Sequence, residues 1–268
     1  MTETFQLTLD QAQAYDELFV PALFAQWAPV ILDCARVRPG QRVLDVGCGT
    51  GVVACAAEAV VGPTGAVTGL DLNPAMLAIA RRKTSTVDWR QGDAQDLPFE
   101  SGRFDAVVCQ SALFFFAEPQ RALEEMARVT APDGHVAVQT YAGLEEQPAY
   151  GPFVAAVARR AGAQARSLLG TYWSRGDVSA LAGLMAAYHL DVVETRTTLG
   201  TVTFASVDAV VHTEIQATPL ADRIDPGTYR AIIADTREAL REFVAPTGEA
   251  ALPIRAIFVA GRRHGGGG

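Results

Sequence analysis

Three glycines lie within five positions of the segment VLDVGCGTGVVA, which runs from Val43 to Ala54. Glycine contributes no side-chain packing and loses much backbone entropy on folding, so such a cluster needs a physical reason. A loop in which Gly47, Gly49 and Gly51 bare the main chain directly before a helix can bring unpaired N–H groups against a ligand. We therefore expect a compact ligand to bind at this loop.

Two aspartates narrow the identity of that ligand. Asp45 stands two residues before the first glycine, and Asp71 follows twenty residues after Gly51 in the segment GLDL. A dinucleotide loop is spaced G-x-G-x-x-G and holds a pyrophosphate, whereas this loop is spaced G-x-G-x-G and carries an acidic residue that would repel one. Asp71 is placed to accept hydrogen bonds from both hydroxyls of a ribose. The two aspartates together therefore predict a ligand with a ribose and a positively charged tail, such as S-adenosyl-L-methionine.

Alternating strands and helices must position these residues. Apolar runs typical of buried strands alternate with helical patterns from residue 41 onwards, and the turn APDG precedes the last of these strands. The predicted strands are QRVLDVG, GAVTGLDL, VDWRQGD, FDAVVCQS and HVAVQTY. Repeated strand–helix–strand units predict an α/β fold with a doubly wound parallel sheet. Ligands bind such sheets beyond the carboxyl ends of the strands, where the glycine loop lies.

The rest of the chain is predicted to surround this core. Residues 1–40 are expected to form a helical segment that covers the cofactor site, and residues 41–141 the cofactor-binding core. Residues 142–176 are expected to form a helical insertion, or lid, over the substrate site. Residues 177–264 supply the last strands with substrate-side helices, and the glycine run at 265–268 is predicted to be a disordered tail.

The segment VLDVGCGTG at 43–51 resembles the first motif of class I S-adenosylmethionine-dependent methyltransferases. The match continues through GLDLNPAML, QGDAQDLPFESGRFDAVVCQSALFFF and EPQRALEEMARVTAPDGHVAVQT, with Asp133 where many members carry a second glycine. It covers residues 10–141 and is most similar to the small-molecule enzymes of the ubiquinone/menaquinone-biosynthesis type. The resemblance implies a Rossmann-like, seven-stranded, mostly parallel sheet whose last strand, PIRAIFVAGRR, is antiparallel.

The resemblance also implies a set of cofactor-binding residues. These are Tyr15, Asp45, Gly47, Cys48, Gly49, Gly51, Asp71, Leu72, Met76, Asp93, Ala94, Gln110 and Ser111. In the family pattern, Asp71 holds the ribose, Leu72 packs against the adenine, and Asp93 accepts a hydrogen bond from the adenine amino group. Asp45 organises the loop near the ammonium group, and the three glycines line the methionine part.

Several of these residues have an ordinary structural alternative that the sequence leaves open. Asp93 in GDAQD is also typical of turn chemistry, and Tyr15 fits the buried face of an amphipathic helix. Gln110 and Ser111, which would border the methionine moiety, are also suited to satisfying local backbone groups. The glycine cluster itself is compatible with a tight turn that binds nothing.

The acceptor site and the catalytic group are less sharply indicated. The predicted substrate-binding residues are Phe114, Phe115, Tyr141, Tyr172, Trp173 and His212. Methyl transfer needs a general base only when the acceptor is a hydroxyl or an acidic carbon. His212 and Tyr141 are the candidates for such a role, and no catalytic residue is assigned.

Composition limits the partners. The formal net charge of −8 disfavours nucleic acid, because non-specific binding to phosphate backbones depends on Lys and Arg. No metal is predicted, since the four cysteines have no metal-ligand spacing. No signal peptide and no apolar run of about 20 residues is recognised, so we expect a cytoplasmic protein without a membrane span. A monomer or homodimer that binds a small-molecule acceptor is expected.

These observations predict a methyltransferase that acts on an O, C or N atom of a small, largely apolar acceptor and releases S-adenosyl-L-homocysteine. Secondary-metabolite or quinone-like biosynthesis is the expected setting. One alternative keeps the cofactor but not methyl transfer, because one fold supports several chemistries. Others are a nicotinamide-dependent oxidoreductase and a non-catalytic cofactor-binding protein. Protein or RNA methylation is disfavoured, because QSAL replaces an N/D-P-P-Y signature after the fourth strand.

Overall fold

Seven strands form one sheet in the computed structural model, which describes residues 7–216, 218 and 220–264. The predicted tail at 265–268 lies outside the described residues. The strands are β1 Arg42–Val46, β2 Ala66–Asp71, β3 Asp88–Gln91, β4 Phe104–Gln110, β5 Thr130–Tyr141, β6 Leu190–Phe204 and β7 Ala250–Arg263. Their order in the sheet is β3-β2-β1-β4-β5-β7-β6.

Strand direction follows the doubly wound pattern. β1 pairs in parallel with both β2 and β4, while β2 pairs with β3 and β4 with β5 in the same sense. β7 runs antiparallel to its neighbours β5 and β6. The predicted mostly parallel sheet with an antiparallel last strand is therefore confirmed. The strand order reverses between β1 and β4, so the loop after β1 lies at the position where such sheets bind ligands.

Helices connect the strands and begin at recognisable signals. They are α1 Leu9–Ala14, α2 Ala28–Cys34, α3 Val52–Val61, α4 Pro74–Lys83, α5 Pro119–Val129, α6 Tyr150–Gly170, α7 Val178–Ala187, α8 Val207–Gln216 and α9 Pro226–Ala239. Asn73 is the N-cap of α4, because its Oδ1 accepts hydrogen bonds from Ala75 N at 2.8 Å and Met76 N at 3.4 Å. Gly162 interrupts α6 with a φ of 81°.

The segment between α1 and α2 is helical without a break but is not α-helical. Tyr15–Phe24 is π-helical and Ala25–Trp27 is a 3-10 turn, so the helical run extends over Leu9–Cys34. Pro21 lies inside the π-helix and lacks an N–H. This run is 26 residues long, and its most apolar 18-residue window has a mean hydropathy of 1.3, so by length and composition alone it meets the criterion for a membrane-crossing helix. Core helices of water-soluble domains meet the same criterion.

One predicted boundary differs from the structure. The expected turn APDG lies within β5, which starts at Thr130 opposite Phe104. The pairing shifts between Phe104 and Ala106, and Asp133 takes a left-handed φ of 62°, so the segment is an irregularity within a continuous strand. Among the last strands, β6 is a single strand of fifteen residues, Leu190–Phe204.

The chain divides into two compact units. Unit 1 comprises Met1–Thr140, Asp177–Thr197 and Ile257–Gly268, and unit 2 comprises Tyr141–Gly176 and Thr198–Ala256. In unit 1, apolar residues of β1, β4 and β5 form the core with those of α5 and α7. In unit 2, α6 and α8 both pack against α9, and Arg160 forms a bidentate ion pair with Asp235 at 2.8 and 2.9 Å.

Candidate functional site

The three loop glycines all adopt left-handed backbone angles, but for different reasons. Their φ values are 70° at Gly47, 55° at Gly49 and 87° at Gly51. A Cβ on Gly47 would lie 2.6 Å from Ala112 Cβ, and one on Gly51 would collide with the indole of Trp89. No heavy atom lies within 4 Å of a Cβ placed on Gly49. Two glycines therefore accommodate the protein's own side chains, and Gly49 borders open space.

Trp89 explains the third glycine and was not identified from the sequence. Its indole lies against both Gly51 and Gly69 of β2, where an added Cβ would lie 2.5 Å from the ring. Trp89 Nε1 donates a hydrogen bond to the Thr84 carbonyl at 3.1 Å, which fixes the ring. A glycine inside a buried strand often marks a close approach, so Gly69 was the available signal.

Asp71 ties the glycine loop to the end of β2. Asp71 Oδ2 accepts a hydrogen bond from Gly49 N at 2.8 Å, and Oδ1 accepts one from Asn73 N at 2.8 Å. Each carboxylate oxygen retains a second lone pair that can accept from a ligand hydroxyl. Burial raises the pKa of Asp71, and these two hydrogen bonds oppose that rise only in part.

Asp45 caps helix α3 from the neighbouring strand. Gly51 is the N-cap of α3 and has no side chain to cap it, and Asp45 Oδ2 accepts a hydrogen bond from Ala54 N at 3.0 Å instead. Asp45 is only 1 % exposed, and burial, together with the charge of Asp71, raises the pKa of Asp45 to about 7. No lysine or arginine in the described part of the chain pairs with either carboxylate. This arrangement favours a ligand that brings a positive charge.

The residues predicted to contact adenine lie at the ends of β2 and β3. Leu72 is 46 % exposed, which is unusual for a leucine and leaves its side chain available to a planar ring. Met76 is half-buried, Ala94 is buried and Asp93 is exposed. Asp93 Oδ1 accepts a hydrogen bond from Gln95 N at 2.9 Å, so the turn role that the sequence left open is present. Gln95 Nε2 also donates to Asp93 Oδ1 at 3.0 Å and to Oδ2 at 3.2 Å, so Oδ2 retains one lone pair that can accept from a ligand.

The end of β4 contains a buried acceptor without a donor. Gln110 Nε2 donates to the Phe24 carbonyl at 3.1 Å, but Gln110 Oε1 has no hydrogen-bond partner among the described residues. Ser111 follows with a left-handed φ of 52°, and its hydroxyl donates to Gln139 Oε1 at 2.6 Å. An unpartnered buried acceptor costs about 1–3 kcal/mol, so a ligand donor at this position would stabilise the site.

The N-terminal helical run passes along the same edge of the sheet. Asn73 Nδ2 donates to the Leu7 carbonyl at 3.3 Å, and Gln110 binds the Phe24 carbonyl. The run therefore extends from the end of β2 to the end of β4. Tyr15 lies between these two anchors in the chain and stacks on Phe24 with ring centroids 5.2 Å apart. A π-helix in this position is notable, because such segments are frequent at functional sites.

The phenylalanines after β4 differ in position. Phe114 is buried, Phe115 is half-buried, and their ring centroids are 4.6 Å apart. Phe116, which was not selected as a site residue, reaches the glycine loop, since its Cζ lies 3.6 Å from the position of a Cβ on Gly47. Phe116 is thus the aromatic residue of this set that the structure places beside the loop.

Cysteine chemistry is not favoured at the site. Cys48 is buried, and burial together with the charges of Asp45 and Asp71 raises the pKa of its thiol well above the usual value. A thiol in this environment behaves as a small apolar side chain. Among the described residues, no group of three or more His, Cys, Asp or Glu side chains could hold a metal ion.

The other predicted substrate residues belong to unit 2. Tyr141 is fully buried, and its ring meets that of Trp173 with centroids 5.5 Å apart at an angle of 63°. Tyr150, which was not predicted, packs against the same indole at 5.0 Å. His212 is exposed on α8, with Nδ1 3.5 Å from the hydroxyl of Tyr229. The structure therefore brings Tyr141 and Trp173 together but places His212 on the surface.

Glu214, two residues after His212, is buried in unit 2. Its exposed fraction is 8 %, and burial raises the pKa of Glu214 to about 7. The phenol of Tyr150 opposes that rise. Glu214 lies three and seven residues after the buried Val211 and Val207, so it occupies the apolar face of α8. That periodicity was the signal in the sequence.

Comparison with known proteins identifies the class of domain. Residues 44–138 match the family described as "Methyltransferase domain". A demethylmenaquinone methyltransferase from Renibacterium salmoninarum is 38 % identical over 128 residues, which cover 48 % of this chain and 51 % of that protein. The chain thus spans about half the length of the curated relatives it matches.

Solved structures show the same fold. A putative methyltransferase from Bacillus halodurans superimposes with a TM-score of 0.60 at 20 % identity, covering 88 % of this chain and 98 % of that one. The [4+2]-cyclase SpnF superimposes with a TM-score of 0.57 at 20 % identity, covering 90 % and 81 % respectively. The Rossmann-like fold is therefore confirmed, and the match of residues 44–138 confirms the resemblance of that segment to methyltransferase domains.

Proposed function

We propose that this chain transfers a methyl group from S-adenosyl-L-methionine to a small, largely apolar acceptor. The observation that carries the proposal is the open main chain at Gly49, whose N–H binds half-buried Asp71, together with buried Asp45; neither carboxylate has a cationic partner in the described part of the chain. The matched segment at 44–138 contains all three residues. When bound, the cofactor supplies an activated methyl group on a sulfonium centre.

The residues present fit that cofactor in chemical type. The free lone pairs of Asp71 suit the two ribose hydroxyls, and exposed Leu72 suits the adenine face. Asp93 Oδ2 suits the adenine amino group. The unpartnered Gln110 Oε1 accepts from the ammonium group, whose charge also offsets the buried carboxylate of Asp45. The protein's part is then to orient the acceptor and exclude water.

The acceptor is proposed to be quinone-like or another aromatic metabolite. Support comes from the name of the matched relatives, demethylmenaquinone methyltransferases. Whether oxygen, carbon or nitrogen receives the methyl group follows from the acceptor. A cytoplasmic location and a monomeric or homodimeric state remain predictions from the sequence.

A second candidate is an enzyme that binds S-adenosyl-L-methionine but catalyses another reaction. The observation that favours it is structural likeness to a protein whose name is a [4+2]-cyclase, since one fold supports several chemistries. Incubation with methyl-labelled cofactor and a panel of hydroquinones, phenols and amines separates the two candidates. Label in the acceptor supports methyl transfer, and conversion of an acceptor without label supports the second candidate.

Cofactor binding itself is tested by isothermal titration calorimetry with S-adenosyl-L-methionine, S-adenosyl-L-homocysteine and NADH. We expect binding of the first two and none of NADH. Asp71→Ala removes the acceptor of Gly49 N and should weaken binding at least tenfold. Asp88→Ala, at an exposed aspartate on β3, is the matched control and should bind as the wild type does. Failure of the wild type to bind either sulfur ligand refutes the proposal.

A further inference from the structure

Unit 1 contains a cavity at the edge of the sheet opposite the glycine loop, which we call the amino-edge cavity. Its volume of about 370 Å³ is within the range of small-molecule sites. The glycine loop follows the carboxyl end of β1, whereas this cavity is bordered by residues that precede β1, by the start of β4 and by the irregular start of β5. The lining residues that carry the argument are Arg36, Arg38, Gln41, Asp105, Asp133 and His135.

The two acidic residues of the lining are already paired within the protein. Arg42 donates to both carboxylate oxygens of Asp105, at 2.6 and 3.1 Å, and its backbone N donates to the same carboxylate at 2.8 Å. Asp133 forms an ion pair with Arg262 at 3.6 Å. These two carboxylates therefore leave the other positive charges of the cavity uncompensated.

Arg36 and Arg38 carry those uncompensated charges. Neither guanidinium forms an ion pair or a hydrogen bond with a residue in the part of the chain that the structure describes. Gln41 Oε1 accepts a hydrogen bond from Arg38 N at 2.7 Å, and Gln41 N donates to the Arg38 carbonyl at 3.3 Å, so the backbone of Arg38 is held in place. In a chain with a formal net charge of −8, two unpaired arginines at one cavity favour an anionic ligand.

The backbone at Arg36 adopts a conformation that is unfavourable for arginine. Arg36 follows Ala35, the C-cap of α2, and has a left-handed φ of 52°. Glycine is the usual residue at this place, because a side chain is disfavoured there. Asp133 of the same lining is also left-handed, with a φ of 62°. Since backbone strain of this kind clusters at binding sites, the presence of a long charged side chain at Arg36 indicates that its guanidinium binds a ligand.

The histidine of the lining responds to the same charges. His135 Nε2 is buried without a hydrogen-bond partner among the described residues. Burial and the positive charges of Arg36 and Arg262 lower the pKa of His135, and the negative charge of Asp133 opposes them. An anion beside the arginines would offset their charge, so that a protonated His135 could add a further positive charge to the cavity.

We propose that the amino-edge cavity binds a small molecule through a phosphate monoester group, with the guanidinium groups of Arg36 and Arg38 donating to its oxygens. Near pH 7 such a group carries about 1.5 to 2 negative charges and three strong acceptor oxygens, which suits two guanidinium groups. A carboxylate has one charge and two oxygens, which one guanidinium satisfies. The site is separate from the glycine loop, so the proposal does not depend on methyl transfer.

The test uses the full chain and three probes that share a phenyl ring: phenyl phosphate, benzoate and benzyl alcohol. In isothermal titration calorimetry at constant ionic strength, we expect phenyl phosphate to bind at least tenfold more tightly than either of the other two. Arg36→Gln and Arg38→Gln should each weaken that binding at least fivefold. Saturation with S-adenosyl-L-homocysteine should change the affinity for phenyl phosphate by less than threefold.

Arg241→Gln is the matched control, because it removes the same charge from a side chain that is 75 % exposed and pairs with Glu238 at the surface of unit 2. This variant should bind phenyl phosphate within twofold of the wild type. Arg36→Gly separates ligand binding from folding, because glycine suits the left-handed backbone. It should melt at or above the temperature of the wild type and still lose at least fivefold in affinity.

Four outcomes would overturn the proposal. The first is equal or weaker binding of phenyl phosphate compared with benzoate, and the second is an equal loss of affinity in Arg241→Gln and the two cavity variants. The third is competition between phenyl phosphate and S-adenosyl-L-homocysteine, which would assign the phosphate to the glycine loop. The fourth is wild-type affinity in Arg36→Gly, which would leave Arg36 with a structural role only.

Discussion

Alanine substitutions at Gly49 and Gly51 should separate ligand binding from folding within one loop. Both residues have left-handed φ values, 55° and 87°, and a left-handed alanine costs about 1–2 kcal/mol. At Gly51 the new Cβ also meets the Trp89 indole, which is buried and held by its hydrogen bond to the Thr84 carbonyl. Overpacking of this kind adds about 1–3 kcal/mol. The expected losses of stability are therefore about 1–2 kcal/mol for Gly49→Ala and about 2–5 kcal/mol for Gly51→Ala.

These two substitutions should have the opposite order of effect on cofactor affinity: Gly49→Ala should be the more harmful one. A methyl group on Gly49 enters open space beside the N–H that binds Asp71, whereas one on Gly51 points into the protein. We expect Gly49→Ala to weaken binding of S-adenosyl-L-homocysteine at least tenfold, which corresponds to about 1.4 kcal/mol. Gly51→Ala, measured where it is fully folded, should stay within about threefold of the wild type, or about 0.7 kcal/mol.

Urea denaturation and isothermal titration calorimetry measure the two quantities. A double-mutant cycle with Trp89→Leu isolates the packing contribution: in that background, the cost of Gly51→Ala should fall to that of the left-handed alanine alone. Wild-type affinity in Gly49→Ala would show that no ligand approaches this residue. Equal destabilisation by the two alanines, or no coupling to Trp89, would refute the packing argument.

Three further predictions follow from the buried carboxylates. Folding raises the pKa of Asp45 from 3.8 to about 7, so between these pH values the folded state retains a proton that the unfolded state has lost. The free energy of unfolding should therefore fall as pH rises through that range, by at most about 1.4 kcal/mol per pH unit. In Asp45→Asn, urea denaturation at pH 5 and pH 8 should show a smaller change in the free energy of unfolding. Glu214→Gln should remove a similar decline in the free energy of unfolding between about pH 4.5 and 7. If the pH dependence of unfolding is the same in this variant as in the wild type, the carboxylate is solvated in the folded protein. Cofactor binding should release protons near pH 7, and it should tighten as pH rises from 6 to 8, because a cationic ligand favours ionised Asp45. Calorimetry in two buffers of different ionisation enthalpy measures this proton release. Asp45→Asn should abolish it.

The parts of the fold that depend on local signals were predictable. Buried parallel strands are continuous apolar runs, so β1, β2 and β4 are evident in the sequence. Asn73 followed by Pro74 identifies the start of α4, because a short polar side chain and a fixed φ are both favourable there. Since the carboxyl ends of parallel strands share one edge, the proximity of Gly49 and Asp71 also follows from the strand order.

Features that depend on contacts between distant segments were not predictable in this way. The need for glycine at position 51 arises from Trp89 on β3, and nothing local to either residue indicates that they meet. The bulged start of β5 likewise depends on pairing of Thr130 with Phe104 across the sheet. Glu214 is a different case, because its spacing from the apolar residues of α8 already indicates in the sequence that it lies on the apolar face of that helix. Side-chain type indicates His212 and Tyr141 as candidate bases, whereas the periodicity of α8 places Glu214 among its apolar residues.

The choice of an acidic cap for α3 indicates what the loop binds. An asparagine at position 45 would accept the hydrogen bond from Ala54 N equally well, since Asn and Asp are comparable helix caps. A carboxylate is less favourable than an amide here in the free protein above pH 7, because burial raises the pKa of Asp45 to about 7. Asp71, the neighbouring carboxylate, adds to this cost instead of relieving it. A bound cation would offset the cost, and a nucleoside with an ammonium and a sulfonium group supplies one where the main chain at Gly49 is open.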